Sequence, residues 1–411
     1  MMRKVVQVLA TIGGASAAVL GLVSGLLYAV LPWLGLGANT GRLQGFVMSG
    51  AFIALGVGLG LPLAWTGLRA LSGTPSRTVR WPRFWLLMLL FLLAVAIGQV
   101  LLIAAPLPWL FFPPFYVLGV ALPMVAVLSL VGRRLAQGGL AASRREVLAQ
   151  LSSGAFLGTA AAFTLEALVI IALALVVVLV MALVPGGVER MQALLAAFRS
   201  PEGLSDPGQW LSLLRSPWVI GLALFVASGL APAIEEAVKP LGVLLMGYRR
   251  PSRARAFLWG VAGGAGFALV EGLMSGTLAL ADERLWAFAI VTRAGTVVIH
   301  CLGGGLMGLG WQTLLSGRRR WRGLAAYVVA VALHGLWNAL AVGMALVGLL
   351  APASAADEVT MGLSGLGMML AYAMLGGLVI AELALLAYIS RRLATAEENR
   401  MKRDREGEHD E

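Results

Sequence analysis

Residues 231–247 read Ala-Pro-Ala-Ile-Glu-Glu-Ala-Val-Lys-Pro-Leu-Gly-Val-Leu-Leu-Met-Gly, and they close an apolar run that opens near Trp218. A run of this length crosses a bilayer as a helix, because about 20 residues at 1.5 Å each cover a hydrocarbon core of roughly 30 Å. Glu235 and Glu236 therefore fall well inside a membrane span. One ionised side chain at a bilayer centre costs about 2.5–3.5 kcal/mol on insertion scales, and here two acids stand side by side. Lys239 follows one helical turn later, on the same side, and partly compensates them. Pro240 has no N–H, which strips the Glu236 carbonyl of its partner and loosens the helix there. An acid pair, half neutralised, beside a broken backbone hydrogen bond reads as a polar site in lipid; the plainer alternative is a salt-bridged packing cluster.

The rest of the chain supports a membrane setting. Of 411 residues, 59% are hydrophobic and 12% charged, and no soluble domain of useful size fits between the apolar runs. A single cysteine, Cys301, excludes an intrachain disulfide. The formal charge of +11 does not indicate a nucleic-acid partner, because the arginines come as short clusters between hydrophobic runs. Near the N-terminus, Arg3-Lys4 and Ala15-Ser16-Ala17 imitate a signal peptide and its cleavage site. The apolar stretch continues to about Leu36, too far for a secretory leader, so it reads as an uncleaved first span.

Windows of spanning length fall at about 5–34, 46–68, 84–104, 109–132, 154–184, 217–247, 256–280, 286–315, 323–350 and 364–389. The expected fold is all-α, a polytopic membrane protein of about ten transmembrane helices. Basic clusters follow every second span: Arg69, Arg77, Arg80 and Arg83; then Arg133, Arg134, Arg144 and Arg145; then Arg249, Arg250, Arg253 and Arg255; then Arg318, Arg319, Arg320 and Arg322. The loops between carry few cations or hold acids, as in Asp282-Glu283 and Asp357-Glu358, so both termini are expected in the cytoplasm. The longest outer loop, about 186–216, is expected to contain a short interfacial helix near Val188–Phe198. The charged end after Ser390, with His409, reads as a frayed, solvated tail.

Ionisable residues divide the chain unevenly. The first four spans have none in their interiors and the fifth has only Glu166, whereas spans six to nine carry Glu235, Glu236, Lys239, Glu271, Arg293, His300 and His334. This suggests an N-terminal scaffold of four spans (1–150), a fifth span with its outer loop (151–216), a catalytic four-helix core (217–350), a last span (351–390) and the tail (391–411). Two inverted repeats of a transporter would mirror the polar site across the halves, which this chain does not. Glu382, near the cytoplasmic end of the last span beside Arg391-Arg392, is expected to snorkel.

Helical spacing groups the polar residues. Phe267 and Glu271 share a face four apart, Arg293 and His300 share one seven apart, and His334 and Asn338 one four apart; Gly303, Gly304, Gly305 and Gly308 allow close helix approach. Counted at 1.5 Å per residue from the cytoplasmic ends, Glu235 lies at roughly 18 Å, Glu271 at roughly 23 Å, His300 at roughly 24 Å and His334 at roughly 17 Å. Four helices thus deliver acids, imidazoles and the Asn338 amide to one layer, with Arg293 nearer the outer face. Such a set can hydrolyse an amide in two ways. A carboxylate can act as general base on water while His and Asn donate to the oxyanion. Alternatively His300, His334 and Glu271 can hold a catalytic Zn2+ with an open fourth position.

Glu235-Glu236-x-x-Lys239, Phe267-x-x-x-Glu271, His300 with its following glycines, and His334-x-x-Trp337-Asn338 resemble, in order and spacing, the motifs of the PrsW family. That family sits among the glutamate-dependent intramembrane proteases, with the CAAX prenyl endopeptidases and bacteriocin-processing relatives. The resemblance covers about 231–340. In the CAAX-type relatives the first motif ends in Arg and the second is Phe-x-x-x-His; Lys239 and Glu271 stand in those places here, as in PrsW-like members, so the missing imidazole falls to His300. The resemblance implies that Glu235 or Glu236 activates water and that His334 with Asn338 holds the oxyanion, with Lys239, Phe267, Glu271, Arg293 and Trp337 in support. It also implies a membrane-anchored protein or peptide substrate, such as an anti-sigma factor cut at site 1, in the cell membrane of a prokaryote. The rival reading is a non-catalytic binding or immunity protein that holds a partner helix in the same polar cavity.

Other intramembrane proteases are excluded by their residues. Every Asp lies in a loop or the tail, so a two-aspartate enzyme is ruled out, and no His-Glu-x-x-His occurs. Gly362-Leu363-Ser364-Gly365 imitates a serine-protease motif, but no membrane histidine follows it to act as base. Cys301 sits about 100° round the helix from His300, which rules against a Cys–His dyad.

Overall fold

A computed structural model describes residues 2–34, 41–199, 216–247, 251–317, 319–350 and 358–409. Among them are ten helices long and apolar enough to cross a membrane: α1 (Lys4–Trp33), α2 (Arg42–Leu71), α3 (Phe84–Ala104), α4 (Pro113–Gln137), α5 (Arg144–Leu183), α6 (Pro217–Leu245), α7 (Arg253–Ser275), α8 (Glu283–Leu315), α9 (Trp321–Val347) and α10 (Gly365–Arg403). The described residues hold no strand, only an isolated bridge between Thr78 and Ser143. The protein is an all-α multi-pass membrane protein, as the apolar windows imply. A bilayer forces this outcome, since a spanning segment must satisfy all its backbone polar groups within itself.

The outer helix near Val188–Phe198 is present as Gly187–Arg199. The rest of that loop, and Arg249, Arg250, Arg318 and Asp357 of the charge pattern, lie outside the described residues. The charged end differs from the expectation of fraying. The last helix runs unbroken from Glu358 to His409. Ion pairs Arg400–Glu397 (3.1 Å) and Lys402–Glu398 (2.9 Å) lace its surface at i,i+3 and i,i+4. Its inner face also packs, with Ala394 against Gly138 and Met401 against Gly139. Composition alone shows the polar surface of this segment and hides the packed stripe.

Two compact units emerge, and neither follows chain order. The first comprises residues 1–159, 236–330 and 378–411, the second 160–235 and 331–377. In the first, α7 is buried along almost its whole length, a consequence of its Gly- and Ala-rich sequence Gly260-Val-Ala-Gly-Gly-Ala-Gly266. Small side chains let neighbouring backbones approach. A Cβ on Gly264 would strike the His300 carbonyl, and one on Gly260 the Gly304 carbonyl, so α7 and α8 meet backbone to backbone at the level of His300.

Two polar residues from the N-terminal part bond to the helices of this unit. The buried Tyr116 hydroxyl of α4 donates to the Leu273 carbonyl at the end of α7 (2.7 Å). Gln150, fully buried in α5, donates to the Gly242 carbonyl (3.0 Å) and to Met246 Sδ (3.0 Å). Those acceptors lie in, and just after, the short helical stub Leu241–Leu245 that follows Pro240. A side-chain amide thus ties down the segment that follows the proline.

Candidate active site

The helix Ala231–Val238 carries both acids of the motif, and they meet different partners. Glu236 and Lys239 are both fully buried in the first unit, with Lys239 Nζ 2.7 Å from Glu236 Oε1. The i,i+3 spacing allows this pairing and Pro240 ends the helix directly after it. Lys239 also lies over the Phe267 ring, 4.7 Å from its centroid, an attraction between cation and π-face. Phe267 stands 5.4 Å from the His300 ring. His300 Nε2 reaches Glu271 Oε2 at 2.5 Å, and the other oxygen of that carboxylate takes Arg293 at 3.1 Å. Glu236, Lys239, Phe267, His300, Glu271 and Arg293 therefore form one continuous chain of contacts across α6, α7 and α8. The shared faces expected for Phe267 with Glu271, and for Arg293 with His300, are both realised.

The glycines after His300 have a specific use here. A Cβ on Gly303 would overlap the Glu236 carboxylate. Gly303→Ala should therefore displace Glu236, at a cost of about 1–3 kcal/mol for overpacking a fitted site. Thermal unfolding in detergent checks this: a midpoint equal to wild type would show that the acid has room to move.

The second unit holds Glu235, His334, Trp337 and Asn338. Glu235 Oε2 lies 3.9 Å from His334 Nε2, and His334 and Trp337 are buried. The separation exceeds a hydrogen bond. A carboxylate oxygen and an imidazole nitrogen are donors that zinc accepts at about 2.0–2.2 Å, so both atoms could touch one cation lying between them. Asn338 Nδ2 donates to the Ala227 carbonyl at 2.8 Å. That carbonyl lies in a widened turn, Val226–Leu230, inside α6. Pro232 accounts for the widening, because it removes the donor that the Ser228 carbonyl would otherwise meet four residues on. Gly335 of α9 fits against this same Ser228 carbonyl, where a Cβ would clash. The sequence contains the signal, a second proline four residues before Glu236. An amide NH2 carries two protons, so one remains for another acceptor after the bond to Ala227.

Glu382 departs from the expectation of snorkelling. It is 1% exposed, and both carboxylate oxygens are buried without a hydrogen-bond partner among the described residues. It lies within electrostatic range of Glu236 in the first unit. Nothing in the spacing of a single apolar helix reveals which of its faces turns toward another acid. Glu166 is half-buried in the second unit, and Cys301 is buried.

These groups are carboxylates, imidazoles and an amide with a spare proton, the residue types that hydrolytic sites use. A family model described as PrsW family intramembrane metalloprotease matches residues 143–375, more than half of the chain and all of the residues of the motifs. No curated protein and no solved structure matches the chain.

Proposed function

Because the chain belongs to the PrsW family of intramembrane metalloproteases, we propose that this intramembrane protease cuts a membrane-anchored protein or peptide, in the manner of site-1 cleavage of an anti-sigma factor, with Glu235 as the base that activates water. The observation that carries the reading is the approach of Glu235 to His334 in a buried setting, with Asn338 on the same face of α9. Glu236 is engaged by Lys239 and is thereby less suited to take a proton. In the hydrolytic step Glu235 accepts a proton from water as the water oxygen attacks the scissile carbonyl carbon. A ring N–H of His334 and the second N–H of Asn338 donate to the resulting oxyanion. The proton held on Glu235 then passes to the amide nitrogen as the C–N bond breaks, and the two peptide ends leave.

Within the first unit, Glu271 orients His300. A carboxylate bonded to one imidazole nitrogen fixes the ring and raises its basicity, the arrangement found behind metal-binding histidines. In a metal-dependent form of the site, Glu235 and His334 would instead hold a divalent cation, which would supply Lewis-acid polarisation of the scissile carbonyl. Glu271, bonded to both His300 and Arg293, fits the supporting role better than that of a ligand. Elemental analysis of the purified full chain tests this. One zinc per chain is expected, and less than a tenth of that in His334→Ala. Full cleavage after exhaustive chelation, or equal zinc in the variant, would leave the glutamate mechanism without metal.

Comparing membrane-proteome fragments between cells with wild-type protein and cells with Glu235→Gln tests the function and identifies the substrate. New fragments of a single-span protein that vanish in the variant are the expected result. The basic loops support an orientation with both termini cytoplasmic.

A further inference from the structure

A large cavity of the first unit lies away from the motif residues. It has a volume of about 1000 Å³ and opens where the start of α3, the end of α4 and the far end of α10 converge. Four guanidinium groups line it, those of Arg83, Arg133, Arg134 and Arg391. Among the described residues none of the four forms an ion pair. The acid in the wall, Glu398, is already bonded to Lys402 at 2.9 Å. Arg134 and Arg391 lie close enough to repel each other, although they come from helices far apart in sequence. The packing of Ala394 on Gly138 holds them there. Arg133 is fixed by donating to the Trp81 carbonyl at 3.2 Å.

A cavity that gathers like charges without neutralising them is built for an anion. Its other wall selects among anions. Trp85, 80% exposed, and Leu86 and Leu89, each more than half exposed, continue from the cavity along the outer surface of α3. That surface faces hydrocarbon in a bilayer, and an exposed tryptophan one residue into a span sits at headgroup level. All four arginines lie on the face where the loops after even-numbered spans emerge, the face that the charge pattern assigns to the cytoplasm. Anionic lipids are concentrated in that leaflet, and basic pockets between spans are their sites.

We propose that this cavity binds the phosphodiester headgroup of an anionic phospholipid, with the guanidinium groups on the phosphate and the acyl chains along Leu86 and Leu89 of α3. An anchored lipid would tie the end of α10 to α3 and α4, which makes a role for the charged C-terminal helix that the family match, ending at residue 375, does not include.

The test uses the full-length protein in lipid nanodiscs and native mass spectrometry. Wild type should retain phosphatidylglycerol through delipidation and should melt higher in phosphatidylglycerol than in phosphatidylcholine. Arg134→Gln with Arg391→Gln should weaken retention roughly tenfold or more, because each basic residue near a membrane surface contributes appreciably to anionic-lipid binding. Arg322→Gln, in a different basic cluster, should retain the lipid as wild type does. Equal retention by the double variant overturns the proposal. So does equal melting of wild type in the two lipids, a comparison that needs no variant to fold. Displacement of the bound lipid by millimolar inorganic phosphate would also overturn it, by showing a free-phosphate site that does not read the acyl chains.

Discussion

Glu235→Gln should give a protein that inserts and folds like wild type while its cleavage of the membrane substrate falls by about 10²–10⁴-fold, the usual worth of a positioned general base. The substitution keeps the shape of the side chain and removes its ability to take a proton. It leaves the buried Glu236–Lys239 pair untouched. His334→Ala should cost at least as much, because it removes an oxyanion donor and a partner of Glu235 together. The measurement is single-turnover cleavage of a reconstituted substrate, with the melting temperature as the control for folding. A wild-type rate in both variants would end the assignment of Glu235 and His334. A protein that held a partner helix without cutting it would keep its function in a Glu235→Gln, Glu236→Gln double variant, which separates that rival from the protease reading.

Lys239→Met should destabilise the protein by about 3–5 kcal/mol, the cost of leaving one member of a fully buried ion pair without the other. Glu236 has no exposed surface, and the loss of Lys239 removes its buried cation while Gly303 and Glu382 stay close. Adding Glu236→Gln to Lys239→Met should recover most of the loss, since an uncharged, well-packed replacement of a buried pair is often close to neutral. Denaturant or thermal unfolding in detergent measures both. A double variant no more stable than Lys239→Met alone would mean that the pair does not account for the stability of this junction. Activity gives an independent readout: if Glu235 is the base, the refolded double variant should keep a measurable rate, whereas an essential Glu236 would leave none.

Much of the molecule was legible in one dimension because the bilayer simplifies the problem. Ten apolar windows became ten helices within a few residues at most ends, for lipid offers no alternative partner for the backbone. Residues four or seven apart on one helix, such as Phe267 with Glu271 and Arg293 with His300, had to share a face, and each pair converges on the same His300–Glu271 contact. The polar positions stood out for the same reason: an acid in an apolar run is expensive enough to need a purpose.

What one helix cannot reveal is which neighbour its faces turn toward. The sequence set both acids of the motif one turn from Lys239, and only the packed helices decide that Lys239 takes Glu236 while Glu235 turns to His334. Adjacent residues differ by about 100° around a helix, so each enters a different environment. The burial of Glu382, the Gln150 bonds below Pro240 and the continuation of α10 through its charged end likewise depend on contacts between segments far apart in the chain. Composition and period thus determined that this is a membrane helix bundle with acids and imidazoles in its spans. The pairing of those groups was decided by tertiary packing, because in a low-dielectric interior a charge is held by whichever partner the neighbouring helix brings within reach.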